Sequence, residues 1–133
     1  GVFVLRLALG TMFVAHALLK YFVFTLPGTA KFFAALGLPD WLGIVVFAAE
    51  LGGGILLIAG VWARAVALAL VPILLGATWA HLGNGWVFSA PNGGWEYPLF
   101  LTVAAFAQAL LGDGALALKP TPAAFARRPA RAY

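Results

Sequence analysis

Residues 2–24 read VFVLRLALGTMFVAHALLKYFVF, and they decide the fold. The run is apolar for long enough to cross a bilayer, because a span needs about 20 residues at 1.5 Å rise each. Inside it sits HALLK, His16 to Lys20, and a lone carboxylate, Glu50, lies within the next apolar run. An ionisable group at membrane depth costs a few kcal/mol even on permissive scales, so each needs a partner or a task.

Composition agrees. The chain has 133 residues, 64% hydrophobic and 9% charged, with a mean hydropathy of +1.02. Soluble domains carry about 25% charged residues, so this chain cannot cover a water-facing surface. One all-α, four-span membrane bundle is expected, a single domain over residues 1–118. The spans are 2–24, 41–61, 65–81 and 97–118, each read as a helix because lipid leaves no partner for unpaired backbone. Pro98 suits a first helical turn, and Pro72 should kink the third span. Eight Lys and Arg against four Asp and Glu do not imply nucleic acid here. Most of the basic residues flank apolar runs, where they set topology. With no cysteine, dithiol chemistry and thiolate-held clusters are excluded for this chain alone.

The connections differ. Residues 25–40 contain a short amphipathic surface helix over Thr29 to Leu36, with Phe32 and Phe33 buried and Lys31 wet. Trp62 to Arg64 is a tight turn. Residues 82–95 hold two Asn-Gly pairs, Asn84–Gly85 and Asn92–Gly93, and predict a folded cap with Trp86 and Trp95 at headgroup level. Residues 119–133 form a basic Pro/Ala-rich tail, read as disordered and cytoplasmic. Arg64, Lys119, Arg127, Arg128 and Arg131 share one side, which puts both termini in the cytoplasm and the 82–95 loop outside.

Rise per residue then gives depth. Lys20 lies about 6 Å below the outer boundary, His16 about 12 Å and Glu50 about 13 Å. His81 stops about 6 Å short of the outer surface, and Glu96 opens the fourth span. These five, His16, Lys20, Glu50, His81 and Glu96, form a candidate polar cluster in the outer half of the bundle, with Glu50 paired to His16 or Lys20. Arg6 and Arg64 sit alone near the inner side. Each residue also has a structural role open to it. Lys20 can snorkel, a membrane histidine can act as hydrogen-bonding glue, and Glu96 can complement a helix N-terminus. Gly52, Gly53 and Gly54 after Glu50 allow close helix approach. No metal site is read. The roughly 6 Å difference in depth between the two histidines argues against haem.

RLALGTMFVAHALLK, GTAKFFAALGLPDW, AELGGGILLIAG, HLGNGW and NGGWEYPLFLT, in this order and spacing, resemble the DoxX family of small four-helix bacterial membrane proteins. The resemblance covers the chain to about Leu118. Its pattern positions here are Arg6, His16, Lys20, Gly28, Glu50, Gly53, Gly54, Arg64, His81, Asn84, Glu96 and Tyr97. Ala17 departs from the glycine that often follows the histidine, and the YFVFTLPG turn is longer than usual. The resemblance implies a multi-pass protein of the bacterial inner membrane. It also implies a subunit of, or accessory to, a redox or respiratory complex, since some members are similar to the small subunit of thiosulfate:quinone oxidoreductase. A quinone headgroup is the candidate ligand of the polar cluster, although no complete catalytic set is visible. The alternatives are a non-catalytic assembly subunit packed on other membrane subunits or on its own copies, and a small-molecule transporter.

Overall fold

The computed structural model describes residues 1–125. Five α-helices make up the described chain: α1 Val2–Phe22, α2 Leu26–Ala35, α3 Trp41–Ala59, α4 Ala63–His81 and α5 Glu96–Leu111, with a 3₁₀ turn at Leu82–Asn84. No β-strand occurs among the described residues. The protein is an all-helical membrane bundle. Helices α1, α3 and α4 are long and apolar enough to cross a membrane, and α5 is a shorter apolar helix of 16 residues.

α1 packs mainly on α3 and α4 mainly on α5, with α1–α5 and α3–α4 closing the ring. Leu9, Phe13, Leu57, Leu70, Leu74 and Ala105 fill the centre. α1 and α3 approach closely. A Cβ built on Gly54 would lie 2.8 Å from the carbonyl oxygen of Gly10 and 3.0 Å from the amide of Val14. Backbone cannot move aside as a side chain can, so glycine at both positions sets the spacing of the two helices.

α2 begins earlier than the surface helix expected from sequence. Thr25 caps it, its hydroxyl accepting from the Gly28 amide at 3.2 Å, with Pro27 in the first turn. Within the chain Phe32 is exposed and Phe33 half-buried, which leaves both open to the membrane surface on which the helix is expected to lie. The buried contact of α2 is Thr29, because its hydroxyl bonds back to Thr25 O and its flank meets Gly43.

The fourth span is also shorter than the expected 97–118, ending at Leu111. Gly112 follows at φ +112°, and Gln108, fully buried, donates from Nε2 to the Gly112 carbonyl at 2.8 Å. A helix cannot continue through that conformation. Residues 112–121 instead fold back as a strap across the α3–α4 turn. Leu118 N donates to Ala59 O (3.2 Å), Lys119 N to Gly60 O (3.1 Å) and Trp62 N to Lys119 O (2.8 Å). The tail is thus ordered at 119–121, contrary to the disorder expected, because the turn offers unpaired backbone for it. Arg127, Arg128 and Arg131 lie outside the described residues. The turn itself has the left-handed Gly60 and Trp62, with Val61 N reaching Leu56 O at 2.9 Å in a Schellman closure.

Arg6 and Arg64 are not alone, which corrects the sequence expectation. Asp113 joins them. Arg6 is fully buried and donates from Nη1 to the Asp113 carbonyl, and its guanidinium lies 5.2 Å from the Phe3 ring centre. Any side chain at Gly60 would collide with that guanidinium, since a Cβ there lies 2.8 Å from Arg6 Cζ. The Asp113 carboxylate accepts from Thr121 Oγ1 (2.6 Å), Thr121 N (3.0 Å) and Arg64 N (3.3 Å). Burial acts to raise its pKa. The Thr121 and Arg64 hydrogen bonds and the Arg64 charge outweigh burial, and the carboxyl sits below its ordinary value of 3.8. A lowered acid contributes stability above its unfolded pKa and loses it as pH falls. The strap is therefore expected to weaken below about pH 4. Asp113→Asn should lower the melting temperature at neutral pH by a few degrees and remove that share of the acid loss. An unchanged acid limb in Asp113→Asn would assign the loss to other carboxylates.

Candidate functional site

The long α4–α5 connection marks one end of the bundle, called the loop end here; the strap marks the other. Near the loop end, α1, α3, α4 and α5 splay around a cavity of about 250 Å³. His16 and Lys20 line it from α1, Glu50 from α3, His81 from α4, and Tyr97 from α5. Leu74, Phe13 and Leu101 complete an apolar floor and wall.

Lys20 Nζ lies 2.7 Å from Glu50 Oε2. The side chains are 19% and 9% exposed, so the pair is held largely out of solvent. The depth match had offered His16 or Lys20 as the partner. Lys20 takes the carboxylate because its four-carbon stem reaches about a helical turn down, while His16 is engaged elsewhere. Nδ1 of His16 is 2.8 Å from Met12 O, and its ring stacks on Tyr97 at 5.7 Å between centres and 27° between planes.

His81 repeats the arrangement, with Nδ1 2.7 Å from Ala77 O. A carbonyl can only accept, so Nδ1 carries the proton in both rings and Nε2 of the neutral ring is the free lone pair. Two imidazoles with assigned tautomers thus line one small cavity with an ion pair. The Tyr97 hydroxyl is buried and has no hydrogen-bond partner among the described residues.

Glu96 does not line this cavity, although the sequence placed it in the cluster. Its Oε1 accepts from the Phe88 amide at 2.9 Å, at the first turn of α5. The carboxylate turns to the connecting loop because unpaired loop amides and the positive helix end both lie there. The loop is folded, as expected of it. Trp95 N bonds Gly85 O (3.0 Å) and Glu96 N bonds Trp86 O (3.1 Å). Gly93 N closes on Ala90 O (2.8 Å) in a turn with Pro91 and left-handed Asn92 at its centre. Asn84 Nδ2 ties the other side to Asn92 O and Gly93 O, and the Trp86 and Trp95 rings meet edge to face at 4.4 Å.

The remaining pattern positions are structural in geometry. Gly28 is the capped amide of α2, Gly53 packs on Leu70 and Gly54 on Gly10, while Arg64 opens α4 beside Asp113. Sequence reading missed Asp113 as a polar partner. The available signal was Gly112-Asp113-Gly114, a carboxylate between two glycines at the same end as Arg6 and Arg64.

Fold and site together define a helical membrane bundle with a polar cavity at one end and a charged lock at the other. The chain belongs to the DoxX family, whose model matches residues 1–83, covering α1 to α4. It is 33% identical over 121 residues to a Bacillus subtilis (strain 168) protein named "Putative oxidoreductase CatD", covering 90% of this chain and 85% of that one. No solved structure matches.

Proposed function

We propose that this chain is a small membrane subunit of a redox complex and that its loop-end cavity exchanges protons with a quinone headgroup. One observation carries it. Four helices bring an ion pair, two imidazoles with free Nε2 lone pairs and an unpartnered tyrosine hydroxyl to one cavity of about 250 Å³. Quinone carbonyls accept hydrogen bonds, and Tyr97 and Lys20 are donors. Reduction to the quinol takes up two protons with two electrons, and imidazoles that can both accept and donate a proton are suited to relay them. The chain has no cysteine, so it brings no dithiol or thiolate-held cluster. The electrons come from an electron-donating partner subunit. The oxidoreductase name of the Bacillus subtilis relative supports the same class.

The test is Glu50→Gln in the complex purified in mild detergent. The amide oxygen still accepts from Lys20, so the variant is expected to fold and assemble while quinone-linked turnover falls at least about tenfold, as for loss of a proton-transfer group. Full turnover in folded Glu50→Gln would leave the cluster as a clamp.

A second reading, an assembly subunit without chemistry, is favoured by Gly52 and Gly76. A Cβ on either would meet nothing within 4 Å, so these spans offer small, open positions to a helix of another chain or a second copy. Retention of a partner complex together with turnover indifferent to the cavity residues would decide for it.

In either case the membrane is the bacterial inner membrane, with both termini cytoplasmic. Arg6, Arg64 and Lys119 gather at the strap end, which supports this orientation through the positive-inside rule. A reporter fused to the C-terminus should be active only as a cytoplasmic one, and a reporter in the 82–95 loop only as a periplasmic one. The reverse pattern would invert the assignment.

A further inference from the structure

Beside the polar cavity runs a second depression of about 490 Å³, between the α4–α5 loop and the outward face of α5. Trp86, Leu99, Phe100 and Val103 line it with carbon. Glu96 is the charged lining residue, and one oxygen of its carboxylate accepts the Phe88 amide. Phe100 and Val103 are 69% and 61% exposed on a helix that sits in a membrane bundle, so this side of the groove opens to lipid. Phe88 and Tyr97 line both the groove and the cavity. Phe88 from the loop and Tyr97 from α5 thus stand between a lipid-facing apolar groove and the polar cavity.

The geometry points to a lateral berth for the hydrocarbon chain of an amphiphile whose headgroup lies in the cavity, with Phe88 and Tyr97 as the doorway between them. The inference rests on the quinone-headgroup reading and adds where the chain lies and how the molecule enters. The chemistry of the two compartments selects the ligand class. The chamber holds an ion pair, imidazoles and a phenol, whereas the groove holds aromatic and aliphatic carbon. A molecule spanning both is polar at one end and a single apolar chain at the other, as an isoprenoid quinone is. Taken singly, the cavity is smaller than the roughly 300–1,000 Å³ of ordinary ligand pockets, and the two together fall within that range. Entry from the bilayer side also fits the other end of the chamber, where the 82–95 loop is tied down by the Asn84 bonds and the Trp95–Gly85 rung. Glu96 is a positioning residue here, because its bond to the Phe88 amide sets where the loop half of the doorway stands.

Full-length protein in nanodiscs decides it with two probes: a benzoquinone bearing a decyl chain with a terminal diazirine, and the same quinone without the chain. Photolysis is expected to label α5 at Phe100 or Val103. Val103→Trp fills the groove from the lipid side with an apolar residue and should leave the melting temperature unchanged. It should weaken binding of the chain-bearing quinone about tenfold, the effect of removing some two methylenes from apolar contact, and leave the chainless quinone unaffected. Phe88→Ala should speed dissociation of both probes. Equal affinity of Val103→Trp for the chain-bearing probe, or labelling confined to other helices, would overturn the berth while leaving the headgroup cavity standing. Labelling at Phe100 or Val103 by a photoreactive phospholipid that excess quinone fails to displace would assign the groove to bulk lipid and overturn it too. If neither quinone binds the wild-type protein, the headgroup reading fails and the berth with it.

Discussion

Glu50→Leu is expected to destabilise the bundle by about 3–5 kcal/mol, because it leaves the Lys20 ammonium with neither counter-charge nor hydrogen-bond acceptor in a largely buried site. The penalty comes from the stranded cation more than from the lost attraction. Lys20→Met should therefore cost a similar amount by stranding the carboxylate. The double variant Lys20→Met with Glu50→Leu should recover most of the loss, since an apolar pair of like volume is often neutral to a buried ion pair. Thermal melts of the four proteins in one detergent form a double-mutant cycle. Additive losses would mean that the 2.7 Å contact carries no coupling. The same four proteins separate stability from chemistry. A recovered double variant that binds no quinone keeps the proposed function, and one that turns over normally removes it.

Gly54→Val is expected to cost about 3 kcal/mol, at the upper end of overpacking changes. The added carbon meets the Gly10 carbonyl and the Val14 amide, both backbone, so α1 and α3 must part along their main contact. Gly52→Val is the control. It lies on the same helix with nothing within 4 Å of a Cβ, and it makes the same change in helix propensity. Isolated Gly52→Val protein should melt near wild type. Equal losses at both sites would trace the effect to backbone entropy rather than to the helix contact. Because α1 carries Lys20 and α3 carries Glu50, the Gly54 variant should also loosen the ion pair two turns or less away.

The spans were legible because lipid removes alternatives: an apolar run of that length has one backbone solution. The membership of His16, Lys20, Glu50 and His81 in one cavity followed from counting rise per residue along antiparallel helices. Counting gives depth but not azimuth, and that is where it stopped. It could not choose between His16 and Lys20 for Glu50, which depends on the i−4 carbonyl claiming the imidazole and on the reach of a lysine stem. Glu96 has a suitable depth and still faces the loop, because a backbone amide in a turn competes for its carboxylate. Asp113 falls inside the run 97–118 that reads as a span. Its partners, Arg64 and Thr121, are distant in sequence or beyond the helix end, and no periodicity announces them.

The strap has a consequence for biogenesis. Leu118, Lys119 and Thr121 follow all four apolar helices in the order of synthesis, and they close the α3–α4 turn and hold Asp113 beside Arg6 and Arg64. The bundle can therefore insert its helices one after another and still lack its final fastening until the ribosome has released these residues. During that interval the Arg6 end stays unlatched, and the inserted helices can still adjust their packing before the strap fixes it.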